Sequence, residues 1–217
     1  MSDFVNLVKA IINKGIESTD LSMFDEETRN KLLNEVGTEY LKKGKLVEAL
    51  KTYTITKNKD MLVKVGDDFN RMSNFNNAVD AYVWAGAVDK LAVLGDKCLK
   101  EGAMGVAAKA FKAIGDADKL AKVGEECVER AKLDIAVEVF AILGNTKRLS
   151  EIGQICTKDG NLNLAARAFQ LAGDTESLSK LGDFCLKEGH IEHALKAYEL
   201  AGNQVMVNFI KNNFMNR

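Results

Sequence analysis

The stretch LAVLGDKCLKEGAMGVAAKAF, residues 91–111, contains the pattern from which the fold can be predicted. Its apolar residues recur at intervals of three and four, the spacing that places side chains on one face of an α-helix. They are Leu91, Leu94 and Cys98 in the first half, and Met104, Ala107 and Phe111 in the second. Between the two halves lies Gly102, which can end a helix in a left-handed conformation without a Cβ clash. The stretch predicts two amphipathic helices joined by a short turn.

The same pattern recurs along the chain with a period of about 29 residues. One column consists of glycines, namely Gly37, Gly66, Gly95, Gly124, Gly153 and Gly182. A second column, sixteen residues further on, is aromatic and consists of Tyr53, Tyr82, Phe111, Phe140, Phe169 and Tyr198. Leucine lies four residues before each glycine, and alanine lies twelve residues after it. These columns predict six successive helical hairpins.

The predicted turns repeat as well. The first helix of a unit ends at Gly44, Gly102, Gly160 or Gly189, with Ser73 and Ala131 as substitutes in two units. The second helix ends at Gly86, Gly115, Gly144, Gly173 or Gly202, and the first unit has Lys57 and Asn58 at this place. Asp116, Asn145 and Asp174 follow three of these glycines, and we expect them to cap the next first helix.

One hairpin of this size cannot bury its own apolar stripe, so neighbouring hairpins must stack into one core. We therefore predict an all-α fold, a right-handed α-solenoid of about six stacked repeats in a single domain, residues 1–217. Residues 1–29 form an N-terminal cap region, residues 30–203 the six repeats and residues 204–217 a C-terminal capping helix. Glycine within a helix costs about 1 kcal/mol relative to alanine, so the glycine column predicts that helices pack closely there.

Both ends of the chain carry apolar helical stripes. The N-terminal stripe consists of Phe4, Leu7, Val8, Ile11 and Ile12, on a short helix that we expect to end near Gly15. This helix caps or dimerises the array, and a membrane-surface anchor is the less favoured alternative because few basic residues flank it. At the other end, Val205, Phe209, Ile210 and Phe214 begin a seventh first helix that stops at Arg217, either as a cap or because the chain is a fragment.

The first unit reads Leu33-x-x-Val36-Gly37-x-x-Tyr40 and then Ala49-x-x-x-Tyr53. It resembles the tetratricopeptide family, whose pattern is Trp-x-x-Leu-Gly-x-x-Tyr, then Ala-x-x-x-Phe, then Pro. The resemblance covers residues 30–217 and implies a concave groove, lined by the first helices, that binds peptides or helices. Here leucine replaces the tryptophan, cysteine replaces the tyrosine from the third unit onward, the proline is missing and the period is about five residues shorter. The repeats are also similar, more loosely, to α-solenoid segments of coatomer-type coat subunits.

Composition excludes several classes of function. The formal net charge is -1 and the sequence pI is about 6.2, so we expect neither nucleic acid nor an anionic membrane as a partner. No apolar run is long enough to span a bilayer, and the opening residues lack the pattern of a cleaved leader. A cytoplasmic location is therefore predicted.

Several residues that often mark functional sites have simpler explanations here. Cys98, Cys127, Cys156 and Cys185 occupy the column of Tyr40 and Phe69, so we predict buried free thiols, which suit a reducing compartment. His190 and His193 lie three residues apart, but we interpret them as surface residues and not as metal ligands. No catalytic motif stands outside the repeat, so we expect neither an enzyme nor a cofactor.

Trp84 is the only tryptophan of the chain, and an isolated tryptophan can be a binding anchor. Its column continues as Ala113, Ile142, Leu171 and Leu200. Because this column is mostly apolar, we predict that Trp84 lies in the core between repeats.

A candidate binding strip lies along the first helices. The residues three positions before the repeat glycines are mostly small, and those directly after the glycines are mostly acidic. Basic residues stand four positions further on, so Asp67 with Arg71, Asp96 with Lys100, and Asp183 with Lys187 can pair at i, i+4. The predicted partner-binding residues are Asp67, Arg71, Asp96, Leu99, Lys100, Glu125, Asp183 and Leu186. We expect charge reversal at Asp67, Asp96 and Glu125 to weaken binding without lowering stability; ordinary solvated helix decoration is the alternative.

The sequence thus predicts a non-catalytic scaffold that binds a protein or peptide partner on its concave face. An architectural subunit of a larger coat-like or self-associating assembly is the alternative, with homo-oligomers formed through the terminal helices. Concentration-dependent light scattering separates the two, because a persistent monomer counts against self-assembly.

Overall fold

The computed structural model describes residues 4–215, which form helices and contain no β-strand. A 3₁₀ turn follows the first helix at Ile16–Ser18, and a π-helical turn follows the last at Lys211–Met215. The α-helices are α1 (Val5–Lys14), α2 (Glu26–Lys42), α3 (Leu46–Thr56), α4 (Lys59–Arg71), α5 (Phe75–Ala85), α6 (Val88–Lys100), α7 (Met104–Ile114), α8 (Ala117–Glu129), α9 (Leu133–Ile142), α10 (Thr146–Lys158), α11 (Leu162–Ala172), α12 (Thr175–Lys187), α13 (Ile191–Ala201) and α14 (Gln204–Ile210).

The helices form two compact units, of which the first ends at Gly115 and the second begins at Asp116. The first contains α1 and the hairpins α2/α3, α4/α5 and α6/α7; the second contains α8/α9, α10/α11, α12/α13 and α14. Within each unit the second helix of a hairpin packs on the first helix of the next. The predicted all-α, solenoid-type array of helical hairpins is confirmed. The right-handed twist and the single-domain division of residues 1–217 stay predictions.

Each repeat glycine lies against the aromatic ring of its own second helix. A Cβ atom added at Gly66 would lie 2.5 Å from Cε1 of Tyr82, and one added at Gly153 would lie 2.5 Å from Cε1 of Phe169. The other four repeat glycines face their aromatic rings at 2.7 or 2.8 Å in the same way. Carbon atoms pack best at about 3.5–4.0 Å, so only glycine leaves room for the ring. The close packing predicted from the glycine column is confirmed.

The turns have the backbone conformation that their residues predict. Ser73 and Ala131 stand where other repeats have glycine, and both adopt a positive φ, 56° and 55°. Lys57 does the same, with a φ of 53°, at the end of α3. The carboxylates of Asp116 and Asp174 each accept a hydrogen bond at 2.9 Å from a backbone N–H in the following turn. The predicted turns and caps are confirmed.

In each unit the second helices of neighbouring hairpins lie closer to one another than the first helices do. Along the stack α3, α5 and α7 approach one another to within 8 Å between Cα atoms, as do α9, α11 and α13. Consecutive first helices of a unit approach one another less extensively. Mostly small residues form a buried column along the second helices, namely Thr52, Ala81, Ala110, Val139, Ala168 and Ala197. Small side chains allow helix axes to come close, which explains the difference.

The four cysteines are core residues, as predicted. Cys98, Cys127, Cys156 and Cys185 are all free and fully buried. Burial removes solvent from the thiols and raises their pKa, in Cys98 to about 11.

Each of the apolar terminal helices buries two apolar side chains. In α1 the side chains of Val8 and Ile11 are buried, and the helix ends before Gly15 as predicted. In α14 Val207 and Ile210 are buried. Phe209 and Phe214 are 45% and 48% exposed and stack edge to face with their ring centroids 6.1 Å apart. The predicted cap regions also include residues 1–3 and 216–217, which lie outside the described residues. No helix among those described has both the length and the apolarity needed to cross a membrane.

Candidate interaction surfaces

Asp67, in the predicted strip on the first helices, binds within its own unit. Its carboxylate accepts hydrogen bonds from the Tyr82 hydroxyl and from Lys90 Nζ, both at 2.7 Å. Although desolvation opposes the change, these two donors lower the pKa of Asp67 below its ordinary value. Arg71 pairs with Asp68. The expected pairing of Asp67 with Arg71 is therefore wrong, because Asp67 is held by the second helix and by the next first helix.

Asp183 also lacks the predicted pairing with Lys187, because a tyrosine hydroxyl binds its carboxylate. Tyr198 donates to Asp183 at 2.5 Å, and no ion pair joins Asp183 to Lys187. Burial and this hydrogen bond raise the pKa of Tyr198. In the first repeat the hydroxyls of Thr38 and Tyr53 lie 3.2 Å apart. Where the aromatic is tyrosine, the residue after the glycine thus serves as its hydrogen-bond partner.

Glu125 bridges consecutive first helices. Arg148, on α10, binds the carboxylate of Glu125, on α8, through two nitrogens, with Nε at 2.9 Å from Oε1. The same guanidinium binds Glu151 and lies 5.5 Å from the ring centroid of Phe140. Asp67 and Lys90 bridge α4 and α6 in the corresponding way. The carboxylate of Glu125 is therefore already paired with Arg148 and is not free to bind a basic group of a partner.

The remaining residues of the predicted strip differ in exposure. Leu99 is only 8% exposed, so it offers little surface to a partner, whereas Leu186 is half-buried. Asp96 and Lys100 line one shallow depression of about 360 Å³ on α6, together with Val93, Lys97 and Glu101. A partner-binding role for the eight predicted residues stays a prediction.

The second helices carry an exposed apolar column at the positions where the sequence predicts core residues. Trp84 is 61% exposed, and Ile55, Ile142 and Leu171, at the same position of other repeats, are 53%, 47% and 44% exposed. The prediction of a buried Trp84 is wrong. It lies two residues after the buried Tyr82, and two residues rotate a helix by about 200°, so the two side chains face opposite ways. This angle is the signal in the sequence that identifies the column as exposed.

Charged residues run beside this column, one helical turn before it. In the first unit Lys109 on α7 pairs with Asp80 on α5 at 2.6 Å. In the second unit Arg167 on α11 pairs with Glu138 on α9 at 3.6 Å. Both pairs join equivalent positions of neighbouring repeats. Each unit therefore presents, on its second helices, exposed apolar side chains bordered by ion pairs.

A groove of about 500 Å³ lies between α1 and α2. Its apolar wall is Val5, Val8 and Ile12, all from α1. Thr38 and charged residues of both signs line the rest, and among them Lys42 pairs with Glu39 at 2.5 Å. The groove thus has both apolar and charged walls and no predominant charge.

The histidines lie where the sequence predicts surface positions. His190 is exposed at the start of α13, and His193 is half-buried. Their rings stack edge to face with the centroids 6.1 Å apart. Within residues 4–215 no group of three or more His, Cys, Asp or Glu side chains is arranged to hold a metal ion.

No protein-family model and no curated protein matches this chain. Among solved structures, a "Circular tandem repeat protein with novel repeat topology and enhanced subunit contact surfaces" is similar to it at 16% sequence identity, with a TM-score of 0.18. The match covers 98% of this chain and 54% of that one, so the chain spans about half the length of that structure. At this TM-score the likeness assigns neither a family nor a function.

Proposed function

We propose that the protein is a non-catalytic interaction scaffold that binds a segment of another protein through its second helices. The observation that carries the proposal is the exposed apolar column of Ile55 and Trp84 in the first unit and Ile142 and Leu171 in the second, called the outer column below. Single exposed apolar residues are normal on proteins, but aligned ones rimmed by charges mark interaction sites. The close spacing of the second helices brings members of the column in one unit side by side.

Energetics favour Trp84 as the main anchor of such a surface. Burial of apolar area contributes about 25 cal/mol per Å², and tryptophan offers the largest apolar side chain. Tryptophan is also enriched among the few residues that dominate binding energy at interfaces. Trp84 is more exposed than any other member of the outer column, so it has the most area to bury against a partner.

Two finer assignments belong to this proposal. The glycine, alanine and aromatic columns support a tetratricopeptide-like repeat, although the period is shorter. Four buried free cysteines support a reducing compartment such as the cytoplasm.

A second candidate function is an architectural subunit that self-associates through its terminal helices. The half-exposed rings of Phe209 and Phe214 favour it, because residues equivalent to Phe214 are buried in all six repeats. Light scattering over a concentration series tests it. A mass that grows with concentration supports self-association, and a constant monomer mass rejects it.

Quantitative capture of partners by matched variants tests the scaffold proposal. We expect the double variant Ile55→Ser, Trp84→Ser to bind a captured and purified partner at least 10-fold more weakly than the parent. The control is Val93→Ser on α6, which replaces a side chain that is 69% exposed but lies on a first helix. It should keep the parental affinity. If the double variant binds as tightly as the parent, the outer column is not the binding surface.

A further inference from the structure

A slot of about 350 Å³ opens between the first helices α10 and α12 of the second unit. Phe169 and Leu181, each 3% exposed, contribute apolar surface to its wall. The full set of lining residues is Gln154, Thr157, Lys158, Phe169, Ser177, Lys180 and Leu181.

The slot exists because the bridging pair of the neighbouring gap is missing here. Between α8 and α10 the side chains of Glu125 and Arg148 meet across the gap. One repeat further on, the equivalent residues are Gln154 and Ser177, which are shorter or uncharged and are not joined by a hydrogen bond. The gap between α10 and α12 is therefore open where the gap between α8 and α10 is closed.

The charge of the slot is positive. Lys158 and Lys180 are its charged lining residues, and no carboxylate lines it. Lys158 has no ion-pair partner among the described residues. Lys180 pairs with Glu176 at 2.6 Å, but both side chains are highly exposed, 70% and 79%. Such surface pairs contribute about 0–1 kcal/mol, so an anion in the slot can compete with Glu176 for Lys180.

We propose that this slot binds a phosphorylated serine or threonine side chain of a partner peptide. A phosphate monoester carries a charge of about -1.5 to -2 at neutral pH and three acceptor oxygens, which two ammonium groups and the Gln154 amide complement. The methylene or methyl group next to the phosphate would lie on Phe169 and Leu181. A carboxylate carries one charge and two acceptor oxygens, so it can pair with Lys158 but competes less well than a phosphate monoester with Glu176 for Lys180. This inference rests on the proposed function, since the peptide belongs to a partner protein, but it concerns the first helices and not the outer column.

Fluorescence anisotropy with three labelled peptides tests the inference. The peptides share one sequence, in which a central threonine is phosphorylated, unmodified or replaced by glutamate. With the 217-residue chain we expect micromolar binding of the phosphopeptide and at least 10-fold weaker binding of the other two. Free inorganic phosphate should compete with the phosphopeptide.

Two variants locate the binding. The double variant Gln154→Glu, Ser177→Arg recreates the pair of Glu125 and Arg148 and should close the slot, and Lys158→Gln removes one cation. Both should weaken phosphopeptide binding at least 10-fold and keep the parental melting temperature. The Ile55→Ser, Trp84→Ser variant should bind the phosphopeptide like the parent.

The inference is wrong if the parent does not bind the phosphopeptide, if a folded slot-closing variant binds it equally well, or if the glutamate peptide binds as tightly. It is also wrong if the Ile55→Ser, Trp84→Ser variant loses the phosphopeptide, because the peptide would then lie on the outer column. If that variant instead keeps both its captured partner and the phosphopeptide, only the outer-column assignment fails.

Discussion

The first and the second helices of each unit are packed by different means. The second helices touch along the stack through a buried column of mostly small residues, such as Ala81 and Ala168. The first helices lie further apart and are joined by long side chains, as in the pairs Asp67 with Lys90 and Glu125 with Arg148. Buried side chains therefore hold the second helices together. The first helices are instead connected by ion pairs, and a repeat can lack such a pair.

Because of this difference, the residues that stabilise the fold are separate from those that we propose to bind partners. In the second-helix layer the buried face is fixed by the aromatic and small columns, so the opposite face is free to carry the outer column. In the first-helix layer a lost bridge does not disrupt the core but opens a slot, as between α10 and α12. The following variants test how sharply the two layers differ, from the largest expected effect to the smallest.

The largest contrast is expected within one second helix, α9. Phe140 is 1% exposed and Ile142 is 47% exposed. We expect Phe140→Ala to lower the free energy of unfolding by about 3–5 kcal/mol, and Ile142→Ala to change it by less than about 0.5 kcal/mol. Urea unfolding followed by circular dichroism measures both. Equal losses would mean that the two faces of α9 are not distinct.

The next effect concerns the glycine column of the first helices. A Cβ at Gly124 would lie 2.8 Å from Cζ of Phe140 and 2.9 Å from Cγ1 of Val139. We expect Gly124→Leu to lower the free energy of unfolding by about 2–3 kcal/mol through overpacking. Gly105→Ala is the control, because nothing lies within 4 Å of its Cβ, and it should stabilise the fold by about 0.5 kcal/mol. A parental melting temperature for Gly124→Leu would contradict the packing model.

Removal of an ion pair between helices should lower the free energy of unfolding by less than Gly124→Leu does. Arg148→Met removes the cation between Glu125 and Glu151, and we expect a loss of about 1 kcal/mol that shrinks as salt is added. Arg167→Met in the second-helix layer breaks a longer and more exposed pair, so the loss should be below about 0.3 kcal/mol. Thermal unfolding at low and high salt distinguishes the two. A larger loss of stability for Arg167→Met than for Arg148→Met would contradict the view that ion pairs matter more between the first helices than between the second helices.

The last effect is a change in how stability depends on pH; it is absent at neutral pH and appears only in alkali. Desolvation raises the pKa of Cys98 to about 11 in the folded chain, against about 8.5 in an unfolded one. Because the folded pKa is the higher, the thiol stabilises the fold below the unfolded pKa, and this contribution is lost as the pH rises through about 11. Stability should therefore fall between about pH 9 and 11, with a shallower slope in Cys98→Ala. An unchanged slope would show that this thiol does not contribute.

Periodicity in the sequence was sufficient to predict the hairpins, the turns and the buried columns. Even the left-handed conformations of Ser73 and Ala131 follow from their alignment with glycine. The exposure of Trp84 was missed because an apolar column was equated with a buried one, without its angle from Tyr82. The role of Asp67 was missed because the sequence does not show which of several donors, within the helix or across the stack, reaches a carboxylate.

The central claim is that the second helices present an exposed apolar surface, and the fluorescence of Trp84 tests it most directly because it is the only tryptophan. The measurement is quenching of the native protein by iodide, compared with the protein unfolded in urea. The account predicts that iodide quenches the folded protein nearly as well as the unfolded one, and that a bound partner protects Trp84. A native Trp84 that iodide cannot reach would contradict it.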